Sequence, residues 1–392
     1  MQHIIRFYIS DFNKMKQFEG IKKLIHYPLT IVFSVFLLSI VVLSLVIPDR
    51  ELSEWENRYL TKAPEVRLAD IADGSFMTKY ENYINDQMPL RDEFIKLKAS
   101  IEAVLLKIEN NSVARGKDSY LFTKSENKTD VFDKNISIIS EFINNTDNFV
   151  TVAIAPNAAG VLTNKVPKGM IIPDQKEKLS ELMGNKSLLS GARVVDLSCV
   201  LLTHEDEYIY YKTDHHWTTL GAYYAYSAIS DDPLDLSTLE KGEKDGFLGT
   251  LYAKYKGLFV KPDVITYYDI PIRSFVTDDT LRNSLLDKEK LSVFDKYGMF
   301  LYGNFGKSEI VSDESILSEE GKGKKLIIFK DSYANCLIPF LTHDYEYITL
   351  IDLRYYKDSV KELVENNKDA DILFINNFDF LNEDNHFYKL MK

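Results

Sequence analysis

Hydrophobic and polar positions divide the chain into stretches of different rhythm. From Pro28 to Ile47 the sequence PLTIVFSVFLLSIVVLSLVI carries no charge, and as a helix it is long enough to cross a hydrocarbon core about 30 Å thick. A soluble helix buried in a core is rarely apolar on every side for so long. Residues 48 to about 74 are charged, contain Pro64 and Gly74, and read as a connection. Phe76 to Glu109 then shows helical spacing, with a break expected at Met88-Pro89, because proline removes a donor and restricts the residue before it. From about residue 115 short apolar runs alternate with amphipathic segments. Strands are expected at Phe149–Ala155, Leu326–Phe329, Tyr347–Ile351 and Asp371–Ile375, and helices at Gln175–Met183, Tyr333–Leu341 and Lys357–Asn366. That alternation predicts an α/β domain with a mostly parallel sheet between helices. Such sheets bind ligands beyond the carboxyl ends of their strands. The tract 275–325, rich in Asp, Glu, Lys and Ser, reads as loops and exposed edges.

Charge orients the apolar stretch. Arg6, Lys14, Lys16, Lys22 and Lys23 precede it, whereas Arg50 is mixed with Glu51, Glu54 and Glu56 after it. The positive-inside rule leaves the N-terminus in the cytoplasm and sends the rest outward. The stretch ends Leu45-Val46-Ile47-Pro48 and lacks the small residues of a cleavage site, so an uncleaved anchor is expected. The organisation expected is a cytoplasmic tail over 1–27 and a transmembrane anchor over 28–47. A juxtamembrane connection and helical lead-in follow over 48–114, and the α/β domain occupies 115–392. Lys+Arg 47 against Asp+Glu 59 gives a net charge of −12, which argues against a nucleic-acid partner but leaves sugar substrates open. The 24 Tyr and 23 Phe suit core packing and also sugar stacking. Cys199 and Cys336 are the only cysteines; they exclude a disulfide framework and leave a single pairing open.

Two motifs carry chemistry. Two of the seven histidines stand together in Asp214-His215-His216-Trp217, just before a helix start at Thr218-Thr219-Leu220-Gly221. Asp214 and His216, two apart in extended chain, project to one side. The carboxylate can hold one imidazole nitrogen and leave the other free as a base. Adjacent histidines seldom share one metal ion, and common zinc motifs space them by three or more residues, so no metal is expected. The second motif is Lys330-Asp331-Ser332, which ends an apolar run and begins helical spacing. A serine at that junction is exposed at the sheet edge beside unpaired backbone N–H groups that suit an oxyanion. The same Asp-Ser pair also fits an ordinary helix cap.

Thr213-Asp214-His215-His216-Trp217, followed far downstream by Lys330-Asp331-Ser332-Tyr333-Ala334-Asn335, resembles the bacterial DHHW protein family. Smaller pieces agree: Glu56-Asn57-Arg58, Tyr80-Glu81-Asn82-Tyr83, Pro89-Leu90-Arg91, Tyr302-Gly303-Asn304 and Ile351-Asp352-Leu353-Arg354-Tyr355. That family is similar to the alginate O-acetyltransferase group, whose members carry an SGNH-hydrolase-like domain in permuted order. The resemblance runs from about residue 50 to the end. It implies a three-layer α/β SGNH-like fold and a triad of Asp214, His216 and Ser332. For the oxyanion hole it offers Gly303-Asn304 or Asn376, strand order favouring Asn376. Arg354, His215 and Trp217 are candidate substrate contacts, Trp217 equally a packing residue behind the histidine loop. The activity implied is transfer of an acyl group, acetyl above all, to a hydroxyl of a cell-surface polysaccharide. No cofactor is expected beyond an external acyl donor, and a multi-span membrane protein is implied to deliver it. A carbohydrate esterase using the same triad, or a non-catalytic polysaccharide-binding or assembly protein, are the alternatives.

Overall fold

A computed structural model describes residues 27–53, 58–105, 107–124, 129–185, 188–258 and 260–392. Most of the expected cytoplasmic tail, residues 1–26, lies outside them, as do Glu56 and Asn57 of the Glu56-Asn57-Arg58 fragment. The chain forms two compact units, one reaching Ile95 and the other running from Lys96 to Lys392.

In the first unit, helix α1 (Pro28–Val46) begins with proline at its first turn and buries none of its residues, so its apolar side chains face outward on every side. Two of its three serines, Ser39 and Ser44, return their hydroxyls to the carbonyls of Val35 and Val41 at 2.7 Å, which satisfies them without water. The expected helical lead-in is two helices, α2 (Ser75–Gln87) and α3 (Arg91–Val104), broken at Met88-Pro89 as proline requires. Asp86 ties α2 to the connection before it. Its carboxylate accepts a forked pair from Arg58 at 2.6 and 2.9 Å, and the amide and hydroxyl of Thr61 at 2.9 and 2.8 Å.

The second unit is built on one mixed sheet of eight strands among the described residues. They are β1 (Val150–Ala155), β2 (Ala192–Val195), β3 (Ile272–Thr277), β4 (Thr280–Arg282), β5 (Lys307–Ser312), β6 (Lys325–Lys330), β7 (Tyr347–Ile351) and β8 (Asp371–Asn377). Their order is β4-β3-β5-β7-β6-β8-β1-β2. The strands from β7 to β2 are parallel neighbours, and β5, β3 and β4 extend the sheet antiparallel. The parallel strands read as unbroken apolar runs because both of their faces are covered. Leu373 and Ile375 of β8 enter a cluster with Trp217 and Tyr226 on one face. Ile372 and Phe374 enter a cluster with Phe132 and Phe142 on the other. The architecture is therefore helix, sheet, helix, as expected.

Two expectations need correction. The tract 275–325 is not loops alone: it holds the second half of β3, all of β4 and β5, and the start of β6. β5 escaped the pattern because serines take two of its three buried positions, Ser308 and Ser312 beside Ile310. The segment Tyr333–Leu341 is not an α-helix but two 3₁₀ stretches, Ser332–Cys336 and Ile338–His343, since Pro339 cannot donate to a continuous helix.

Candidate active site

The carboxyl ends of the parallel strands set the position of Ser332. β6 ends at Lys330, and Asp331 is pinned at once: its carboxylate accepts the amide of Tyr333 at 2.7 Å and the amide of Asn377, at the end of β8, at 2.7 Å. Asp331 is thus the cap and Ser332 is left partly exposed. Burial raises the Asp331 carboxyl above the ordinary range, against the pull of those two amides.

The histidine loop is held from the other side. Asp263, nearly buried, accepts the amides of Lys212 and Thr213 at 2.9 and 2.8 Å and the Thr213 hydroxyl at 2.5 Å. The Tyr208 hydroxyl completes the set. Asp214 follows and receives hydrogen bonds on both oxygens. The amide and hydroxyl of Thr250 donate to Oδ2 at 2.8 and 3.0 Å, and the His216 amide donates to Oδ1 at 3.0 Å. Burial opposes ionisation of Asp214, but the His215 and His216 imidazoles and these donors outweigh it and hold its carboxyl far below the usual range. A Cβ at Gly249 would fall inside the Asp214 side chain, so glycine there is what lets the loop carrying Thr250 close on the carboxylate.

An ionised Asp214 can only accept, which fixes the tautomer of His216. Nδ1 carries the proton and donates to Oδ1 at 2.6 Å, and Nε2 accepts from the Ser332 hydroxyl at 3.0 Å. The imidazole is sandwiched by the Tyr297 ring, centroids 3.7 Å apart and planes at 8°. The Tyr297 hydroxyl donates to the Ser332 carbonyl at 2.9 Å, so one buried tyrosine touches both the imidazole and the serine backbone. Geometrically this is a nucleophile, a base and an orienting carboxylate in hydrogen-bond reach. Asp214, His215 and His216 also place ligand-type atoms within 4.8 Å of one another. Both ring nitrogens of His216 are engaged here, one by Asp214 and one by Ser332.

The remaining expected residues separate. His215 is 44% exposed and donates through Nδ1 to the Thr250 hydroxyl at 2.6 Å. Trp217 is fully buried, and its indole donates to the Tyr333 carbonyl at 2.8 Å. It packs behind the histidine loop and offers no face to a sugar. Arg354 is partly exposed and locked on buried Asp352 by Nε and Nη2 at 2.9 and 2.6 Å. Asn304 is tied to the serine segment, since its Oδ1 accepts from Lys330 and Asn335 at 3.0 and 3.2 Å. The Gly303 carbonyl accepts from Asn335 at 3.4 Å. Asn376 alternates with Ile375 and so lies on the sheet face opposite the Trp217 cluster, nearly buried. Hydrogen bonding thus connects Asn304, not Asn376, to the residues flanking Ser332. Sequence reading missed Tyr297, Gly249, Thr250 and Asp263. None sits in a motif, and each bonds a partner at least 35 residues away. The cysteines are both free.

A family model described as DHHW protein matches residues 144–351, more than half of the chain. No curated protein matches it. Among solved structures, a DHHW family protein from Eubacterium siraeum is 24% identical with a TM-score of 0.60, covering 72% of this chain and 96% of that one. Bacillus cereus PatB1, solved with a sulfonyl adduct, is 19% identical with a TM-score of 0.56, covering 70% and 97%. The O-acetyltransferase domain of Pseudomonas putida AlgJ is 14% identical with a TM-score of 0.44, covering 70% and 93%. At these identities the likeness to the first two shows a shared fold.

Proposed function

This chain belongs to the DHHW protein family, and on that premise we propose that it is a membrane-anchored O-acyltransferase acting on hydroxyls of a cell-surface polysaccharide. The observation that carries the reading is the 3.0 Å approach of His216 Nε2 to Ser332 Oγ. Ser332 Oγ attacks the carbonyl of an acyl donor, acetyl above all, and its proton passes to His216 Nε2. The donor's leaving group takes that proton as it departs, leaving an acyl-serine. A sugar hydroxyl then gives its proton to His216 and attacks the ester, and Ser332 is regenerated. Asp214 keeps the imidazole in the required tautomer and stabilises its protonated form. The developing oxyanion is met by the Ser332 amide and the Asn304 side chain; one such donor is typically worth about 3 kcal/mol.

The location follows from α1, whose uncharged, outward-facing surface suits lipid. The basic residues before it favour an N-terminus inside and the Ser332 unit outside. One spanning helix makes no path for an activated acyl group, so a multi-span membrane protein would hand the donor across.

The test uses the full chain in detergent, a chromogenic acetyl ester as donor and an oligosaccharide as acceptor. Acetylated sugar from the wild type and none from Ser332→Ala is the expected result. Free acetate alone would replace the transferase with an esterase, and the absence of any Ser332-dependent product would leave a binding role only.

A further inference from the structure

Lys330 is a buried ammonium, 4% exposed, two residues before the serine. Its Nζ donates to Oδ1 of Asn304 at 3.0 Å and to Oδ1 of Asn335 at 2.5 Å. Asn335, also buried, donates through Nδ2 to the same Asn304 oxygen at 3.2 Å. An ammonium has no acceptor, so the Asn304 amide must turn its oxygen inward and its Nδ2 outward. Among the described residues nothing accepts from that Nδ2, although Asn304 is exposed. The turn that presents it is unusual: Leu301 and Tyr302 hold φ of 55° and 59°, and Gly303 follows at 104°. Consecutive left-handed side-chain residues are strained, and such strain persists where surrounding structure imposes it. Here it is imposed by the Leu301 amide on the Leu285 carbonyl at 2.8 Å and by the Gly303 amide on the Phe300 carbonyl at 3.1 Å.

We infer that Lys330 is a positioning residue for the reaction: its ammonium, with Asn335, locks the Asn304 amide so that Nδ2 is aimed at the oxyanion formed on Ser332. This rests on the acyl-transfer reading above. A buried charge is costly unless it is paired or hydrogen-bonded, and packing alone needs no charge between two asparagines. The charged groups acting on Lys330 are Asp331, Asp352 and Arg354. Burial pushes its ammonium down to about 8, with Arg354 adding to the effect and the two carboxylates resisting it. Above that pH the lysine becomes a neutral amine that can accept as well as donate, and the amide of Asn304 is free to turn.

The experiment measures kcat, KM and their pH dependence with the chromogenic ester for the full chain, Lys330→Met, Asn304→Ala and the double variant. Each single variant is expected to lower kcat by about a hundred- to a thousandfold with KM within about threefold. The double variant should be little worse than the poorer single one, because both changes remove the same donor. The wild type should lose kcat above about pH 8, and Asn304→Ala should not. Losses that multiply in the double variant, or an alkaline limb that survives in Asn304→Ala, would overturn the inference. The second outcome holds even if Lys330→Met does not fold. Absence of any Ser332-dependent turnover would instead overturn the acyl-transfer reading itself, and this inference with it.

Discussion

Gly249 shows how little room the site leaves at the scale of one residue. The Thr250 amide reaches Asp214 Oδ2 at 2.8 Å only because the residue before it has no Cβ. Gly249→Ala is therefore expected to push the loop off the carboxylate, loosen His216 and lower kcat at least about a hundredfold, a 1 Å misplacement being enough for that. Because Asp214, His216 and Ser332 are all retained, binding of substrate should change little. Steady-state kinetics of the full chain with the chromogenic ester would check this, and an unchanged kcat would show that Thr250 is dispensable. The residues of the proposed triad were legible in the sequence, since Asp214-His215-His216 and Lys330-Asp331-Ser332 are local motifs. Those that hold them were not. Asp263 grips Lys212 and Thr213 from about fifty positions away, and Tyr297 lies on His216 from a tract that reads as polar loop.

Elements follow the same division. β1, β6, β7 and β8 announce themselves as apolar runs because both faces are covered. The antiparallel extension does not, because β5 turns serines inward and β4 spans only Thr280–Arg282. Where an element is held by a single charged cluster, its stability should follow that cluster's titration. Arg58 and the two Thr61 donors lie around Asp86, and the Arg58 hydrogen bonds, the largest influence, hold its carboxyl well below the ordinary value, burial opposing them. A carboxylate with a depressed folded-state pKa adds stability that is full above its unfolded value near 4 and is lost as pH falls through the lower folded value. Asp86→Asn is thus expected to cost about 1–2 kcal/mol at pH 7, Arg58 being partly solvent-screened. The difference from wild type should narrow steadily below about pH 4. Urea unfolding of both proteins at pH 7 and pH 3 would check it, and a pH-independent difference would contradict the assignment.

At the scale of the whole molecule, an exposed apolar helix precedes an α/β unit in which the serine just past the end of β6 meets an imidazole and a carboxylate from the loop before Thr218. The apolar helix and the three-layer order could be read from hydrophobic rhythm, while the meeting of residues 116 positions apart required the fold. The central claim is that Ser332 Oγ becomes acylated. Full chain mixed with the acetyl ester, quenched in acid and digested, can be analysed by mass spectrometry for an acetylated peptide. The account predicts acetyl on Ser332, absent in Ser332→Ala and strongly reduced in His216→Ala. An acetyl group found on another side chain, or turnover undiminished in Ser332→Ala, would contradict it.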